Sequence, residues 1–162
     1  MNPETLKIQL GYTHWILLKN CEDISQEDSL NRPPDGGNCL NWIVGHIVAS
    51  RHHMMSVLDQ KPIWSEDEIK RFDRKSPPVT GPTDAKSISE MLETHEATMG
   101  KIHEGLDRIT PEQLAAKAPF SPTNNENETI GSLLAGLVFH EAYHTGQSSY
   151  WRRVMGKASV VK

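Results

Sequence analysis

A chain of 162 residues and 18.2 kDa is the size of one domain and long enough to bury a core unaided; with 36% hydrophobic and 23% charged residues it lies outside the composition of disordered chains. The net charge of −4, with 17 Lys and Arg scattered among 21 Asp and Glu, excludes the basic stripe that a nucleic-acid surface needs. No apolar run approaches the roughly 18 residues that span a bilayer, the opening MNPETLKIQLGYTH lacks the pattern of a secretory leader, and Cys21 and Cys39 form neither a disulfide framework nor a CxxC. The expectation is one domain over 1–162 in a reducing cytoplasm, with no nucleic-acid and no membrane partner.

Four segments carry the helical period. The first is expected over about 3–24, with Asn2 as cap, Pro3 at the first helical position and Leu6, Leu10, Thr13, Leu17 and Ile24 on one face. The second, about 39–59, follows the breaker run RPPDGGN with Asn38 as its expected cap; its stripe is Leu40, Ile43, Val44, Ile47, Met54 and Leu58. The linker KPIWSEDEIKRFDRKSPPVTGPT comes next, longer than a bundle usually needs. In it Lys70, Arg71, Arg74 and Lys75 alternate with Glu66, Asp67, Glu68 and Asp73, as on a solvated face.

The third helix, about 84–108, starts near Thr83 with a second cap signal at Ser87-x-x-Glu90, and aligns Ile88, Met91, Leu92, Met99, Ile102, Leu106 and Ile109. Thr110-Pro111-Glu112-Gln113 reads as a capping box for a short extra turn. The fourth helix, about 128–155, carries Ile130, Leu133, Leu134, Leu137, Val138, Tyr143 and Trp151 and stops at Gly156. No period-two run bounded by hairpin turns is present, so the fold class is all-α. Trp64, Phe72 and Phe120, on the long loops, serve either to close the ends of the helices or to wall a pocket.

Within the fourth helix stands HEAYH, with His140 and His144 four apart and Glu141 between them. HExxH is the zinc-protease signature, in which two imidazoles one turn apart hold the metal. A zincin takes its third ligand downstream and binds peptide on a sheet edge. After His144 the chain reads TGQSSYWRRVMGKASVVK, without His, Asp, Glu or Cys, and no sheet is expected. The protease reading fails, whereas the metal reading survives if a third ligand comes from upstream.

His14, His46, His52, His53, His95 and His103 are the candidates. His46 falls about 12 Å along the second helix, and His140 and His144 about 18–24 Å along the fourth, at 1.5 Å per residue. Parallel second and fourth helices would bring these to one level, and His53 is almost equally eligible. His95, on the apolar stripe of the third helix, reads as a buried, hydrogen-bonded imidazole, and His14 is similar; His52 and His103 read as surface positions. Gln147 continues the face of His140 and His144, as a second-shell hydrogen-bond partner or a cavity wall, and Glu141 is a candidate general base for water.

Three stretches in order, YTHWILLKNCEDISQEDSLNRP, NWIVGHIVASRHHMMSVLDQKPIW and IGSLLAGLVFHEAYHTGQSSYWRRVMG, resemble the DinB-like superfamily of metal-binding helical proteins, above all through an upstream helical His and HxxxHTGQ. The resemblance implies an up-and-down four-helix bundle with a long crossover between its second and third helices, and metal ligands at His46, His140 and His144, with His46 chosen over His53. It often implies a homodimer. It also implies a thiol S-transferase that uses a low-molecular-weight thiol such as bacillithiol or mycothiol on a small-molecule substrate. Three imidazoles leave a divalent ion, zinc first and nickel second, with an open position. A hydrolase using Glu141 or water, and a non-catalytic metal-binding scaffold, are the alternatives.

Overall fold

The computed structural model describes residues 2–34 and 36–161, so Asp35 of the breaker run lies outside the described residues. Among them the secondary structure is helical: α1 Pro3–Cys21, α2 Gln26–Leu30, α3 Leu40–Val57, α4 Glu66–Phe72, α5 Ile88–Arg108, α6 Pro111–Ala115 and α7 Ile130–Val154. The sole β feature described is the isolated bridge Lys117–Thr129.

Local chemistry accounts for most boundaries. The Asn2 side chain accepts from Glu4 N at 3.0 Å and Pro3 opens α1 without a wasted donor. Ser87, not Thr83, starts α5 by accepting from Glu90 N. A reciprocal Thr129–Ser132 box starts α7, and Gly156 at φ 75° follows its C-cap, a conformation that favours glycine. Two expectations are corrected. The first helix ends at Cys21 and the cap of α3 is Cys39, without a side-chain hydrogen bond, in place of Asn38. The stretch after α1, to which no element was assigned, and the linker after α3 contain α2 and α4, each nucleated by a Ser-x-x-acid capping box: Ser25–Asp28 and Ser65–Glu68.

Side-chain pairs give the helix directions. Thr13–Glu141 and Asn20–Ser148 run α1 parallel to α7, while His14–Glu96 and Lys7–Asp107 run it antiparallel to α5. Ser50 and Trp42 meet His140 and His144 respectively, so α3 is antiparallel to α7, contrary to the parallel arrangement expected from axial arithmetic. Asn41 bonds to Lys86 O and Arg51 to His95 O, so α3 and α5 are parallel, and the four long helices run up, down, down and up in place of the expected up-and-down alternation. Parallel neighbours oblige the 58–87 segment, with α4 inside it, to return along the length of a helix.

The core divides into two clusters. One gathers Leu17, Ile43, Ile47, Met91 and Trp151 with the loop aromatics Trp64 and Phe72; the other gathers Leu6, Leu10, Met54, Ile102, Leu134 and Val138. At about 1.5–3 kcal/mol per buried large side chain, these are the main stabilising contributions. Helix α3 is buried over almost its whole circumference. Between the clusters lies a polar layer of Thr13, Arg51, His95, Thr98 and Glu141, all buried.

Candidate metal centre

His46 on α3 and His140 and His144 on α7 converge: Nε2 of His140 lies 3.1 Å from Nε2 of His46 and 3.1 Å from Nε2 of His144. Ring centroids are 4.4–4.9 Å apart. The Nδ1–H of His46 donates to the Phe72 carbonyl at 2.6 Å and that of His144 to Gln147 Oε1 at 2.7 Å, so each of those Nε2 atoms carries a bare lone pair. His140 Nδ1 faces Ser50 Oγ at 3.2 Å. The Nε2 lone pairs of His46 and His144, both turned toward His140, are held together by a shared proton or a shared cation. Imidazole nitrogens bound at about 2.0–2.1 Å to one tetrahedral ion lie about 3.3 Å apart, close to the spacing here.

Electrostatics agree with this geometry. Burial holds the His46 imidazole below its ordinary pKa against the opposing hydrogen bond to Phe72. Burial, then the neighbouring imidazoles, brings His140 and His144 each down to about 4. All three are therefore neutral ligands at pH 7. His46 is 5% and His144 9% exposed, while His140 is more open, so the cluster faces solvent on one side only. Trp42 stacks on His46 at 4.6 Å and the exposed Tyr143 ring stands edge-on to His144 at 5.2 Å.

The other candidates are elsewhere. His53 pairs with Asp73 and touches Phe120, which is 41% exposed, so its place is near the rim. His52, read as a surface residue, is 3% exposed: its Nδ1 bonds to Val48 O, and its Nε2 accepts from the backbone N–H groups of Ile63 and Trp64, tying the loop to α3. His103 is half-buried. His95 is fully buried as expected, but neither ring nitrogen has a hydrogen-bond partner; it stacks on His14 at 4.7 Å with Nε2 3.9 Å from Glu141 Oε1.

Glu141 does not face the three imidazoles. It lies on the neighbouring side of α7, 1% exposed, with Oε2 2.8 Å from Arg51 Nε, and Oε1 2.8 Å from Arg51 Nη2 and 2.6 Å from the Thr13 hydroxyl. Burial alone would raise its pKa, but the Arg51 guanidinium overrides this and holds the carboxyl well below the usual carboxylate range. A carboxylate whose oxygens are both committed in this way is a counter-charge; the geometry does not support the expected base role. Tyr143, placed on the buried stripe from sequence, is 58% exposed.

The loops act on the site through their backbone, which sequence reasoning missed. Phe72 is buried, and its ring packs against Gly45 so closely that a Cβ there would lie 2.3 Å from it. The absence of that Cβ lets Phe72 approach and set its carbonyl on the next residue, His46. Ser50 was findable, since it stands one helical turn after His46. Arg51 was findable too, as the single charged residue in LNWIVGHIVASRHHMMSV.

Three histidines in a largely helical protein, donor atoms all within 4.8 Å of one another, are positioned to bind a metal ion. The DinB superfamily model matches residues 10–148, and the chain belongs to that superfamily. The crystal structure of a conserved protein from Enterococcus faecalis superposes with a TM-score of 0.73 at 18% identity, covering 95% of this chain and 97% of that one, a likeness of fold. Among curated proteins, none matches. No described helix is long and apolar enough to cross a membrane.

Proposed function

We propose that this protein is a metal-dependent thiol S-transferase, built on a four-helix bundle of α1, α3, α5 and α7 that run up, down, down and up, with the crossover between α3 and α5. The observation that carries the reading is the set of three Nε2 atoms turned to one point, with the outer nitrogen of each ring held by Phe72 O, Ser50 Oγ or Gln147 Oε1. The Phe72 and Gln147 oxygens fix the tautomers of His46 and His144, and all three partners orient the rings, as partners of metal-bound histidines do. Zinc is the first choice and nickel the second, since neutral imidazole suits both. A divalent ion held by only three protein ligands supplies Lewis acidity at an open position, where a low-molecular-weight thiol is favoured as thiolate.

The chain's own residues then supply orientation and exclusion of water. Trp42 and Phe72 close the buried side, and Tyr143 stands at the open side. Glu141 is paired to Arg51 and is not free to act as a base at the cluster, which favours a thiolate nucleophile over activation of water by this residue. In transfer to monochlorobimane the S–C bond forms, the C–Cl bond breaks, chloride leaves with the electron pair and the thiol proton passes to solvent.

The test is conjugation of monochlorobimane across a panel of physiological thiols, with and without chelator, on tag-free protein of known metal content. Metal-dependent conjugation with one thiol, lost in His140→Ala together with the bound ion, is expected. Absence of metal-dependent conjugation with every thiol would refute the transferase. Ester and amide substrates in the same format test hydrolysis, and a His140→Ala protein that loses both metal and thermal stability would point to a scaffold.

A further inference from the structure

The histidine cluster opens to solvent beside His140, between two helices and two loops. On α3, His46, Ser50 and His53 stand at i, i+4 and i+7, so His53 lies one turn beyond the serine that touches His140 Nδ1. On α7, Gly136 lies one turn before His140; it is exposed, and a Cβ added there would meet nothing within 4 Å. The loop after α4 brings Phe72 O to His46, sets Asp73 Oδ2 3.1 Å from His53 Nε2, and then places Arg74. The loop before α7 brings Phe120 to the His53 ring, 6.0 Å between centroids. Arg74 ties the two loops, its Nη1 donating to Pro122 O at 2.9 Å.

That carbonyl is the one acceptor the exposed Arg74 guanidinium has among the described residues. Arg51, Arg71, Arg108 and Arg152 each pair with a carboxylate, and Arg74 pairs with none. Its neighbour Asp73 is spent elsewhere: Oδ1 accepts from the Arg74 backbone N–H at 2.7 Å and Oδ2 faces His53. The field of Arg74 nonetheless reaches the cluster. Burial first, then His46, lower the His140 pKa, and Arg74 adds to the shift. Three neutral imidazoles leave the charge of a divalent ion uncompensated, and the buried carboxylate beside them, Glu141, is paired to Arg51. In a protein of net charge −4, the opening of the site is therefore cationic.

We propose that Arg74 determines specificity at the metal centre: it holds a carboxylate of the ligand that binds at the ion's open position, so that anionic ligands are taken ahead of neutral ones. The inference rests on the metal-dependent reading above and narrows it to a carboxylate-bearing class. A guanidinium has five N–H donors, of which Pro122 takes one, and its planar fork matches both oxygens of a carboxylate, as an ammonium does not. The Phe120 ring, 41% exposed, and the open surface over Gly136 give the ligand's chain a wall and room between the two anchors. His53 does not compete for the anion, because Asp73 already holds it.

Tag-free protein loaded with cobalt(II) tests this, since a bound thiolate gives a charge-transfer band. Mercaptosuccinate and 2-mercaptoethanol are titrated into wild type, Arg74→Gln, Arg74→Lys and, as a control on the next exposed cation, Lys75→Gln; succinate is titrated in parallel by calorimetry. The quantity read is the ratio of the two thiol affinities, compared between variants so that intrinsic differences between the thiols cancel. Arg74→Gln is expected to weaken mercaptosuccinate about tenfold relative to 2-mercaptoethanol, with metal content and helical circular dichroism unchanged. Arg74→Lys should recover part of the ratio and Lys75→Gln should keep it. A wild-type ratio in Arg74→Gln, or an equal fall in Lys75→Gln, would overturn the proposal. If no thiol binds, the transferase reading falls and succinate decides this one: binding weakened about tenfold in Arg74→Gln upholds it, and binding that is equal or absent in both proteins overturns it.

Discussion

Changing Glu141 to Gln keeps the shape of the side chain and removes one charge from the pair that crosses the polar layer. Arg51 is fully buried and donates to both carboxylate oxygens at 2.8 Å, with Thr13 as third donor at 2.6 Å. Glutamine retains one acceptor oxygen and turns an NH2 group toward guanidinium N–H donors, leaving a buried cation uncompensated. Breaking one side of such a pair costs about 3–5 kcal/mol. For a domain of this size each kcal/mol shifts Tm by about 2–4 °C, so a fall of roughly 6–20 °C is expected. The assay is urea and thermal unfolding followed by circular dichroism at pH 7, with Arg51→Met/Glu141→Leu as companion. The double variant removes both charges and should regain most of the loss, because a well-packed apolar replacement is often neutral or better. A Glu141→Gln protein that unfolds at the wild-type midpoint would refute this account. If it also lost turnover with metal retained, the base role for Glu141 would be restored.

Gly45→Ala should displace the Phe72 ring, costing about 1–3 kcal/mol, and should weaken metal binding about tenfold in a competition titration, because the carbonyl that orients His46 moves with it; unchanged affinity would show that Phe72 O does not position the ring. Gln147→Leu removes the acceptor for His144 Nδ1–H on a half-buried site, so metal affinity is expected to drop 10–100-fold with the unfolding midpoint nearly constant. His95 is held neutral by burial and then by Arg51, its pKa brought from 6.5 down to about 3. Between those values the unfolded chain takes up a proton that the folded chain refuses. Stability therefore falls as pH drops below 6.5, by about 1.4 kcal/mol per pH unit for each such group. Metal-free protein should show this decline in its urea midpoint from pH 6.5 to 4.5, and a flat profile would contradict it.

The helical class and the faces of α1 and α3 were legible because burial on one side of a helix writes a 3.6-residue period, and Leu6, Leu10, Thr13, Leu17, Ile43 and Ile47 are buried as that period requires. The pair His140 and His144 was equally legible, being one turn apart on one strongly periodic helix. One further relation was present in the sequence: Arg51 is the single charge of α3, and Glu141 the single charge between Ile130 and Trp151 of α7. In a segment otherwise without ions, such charges must either reach solvent or find each other, and these find each other.

Local pattern determined, by itself, which residues lie on one helix and which face they share, since those relations are set by backbone geometry over a few residues. Tertiary structure decided what meets across helices: that α3 runs antiparallel to α7, which brings His46 and not His53 to the pair; that a loop carbonyl at Phe72 holds the His46 ring; and that Glu141 turns away to Arg51. These depend on packing between segments about 90 residues apart, where no sequence period operates and the arrangement follows from how whole helices bury their surfaces together.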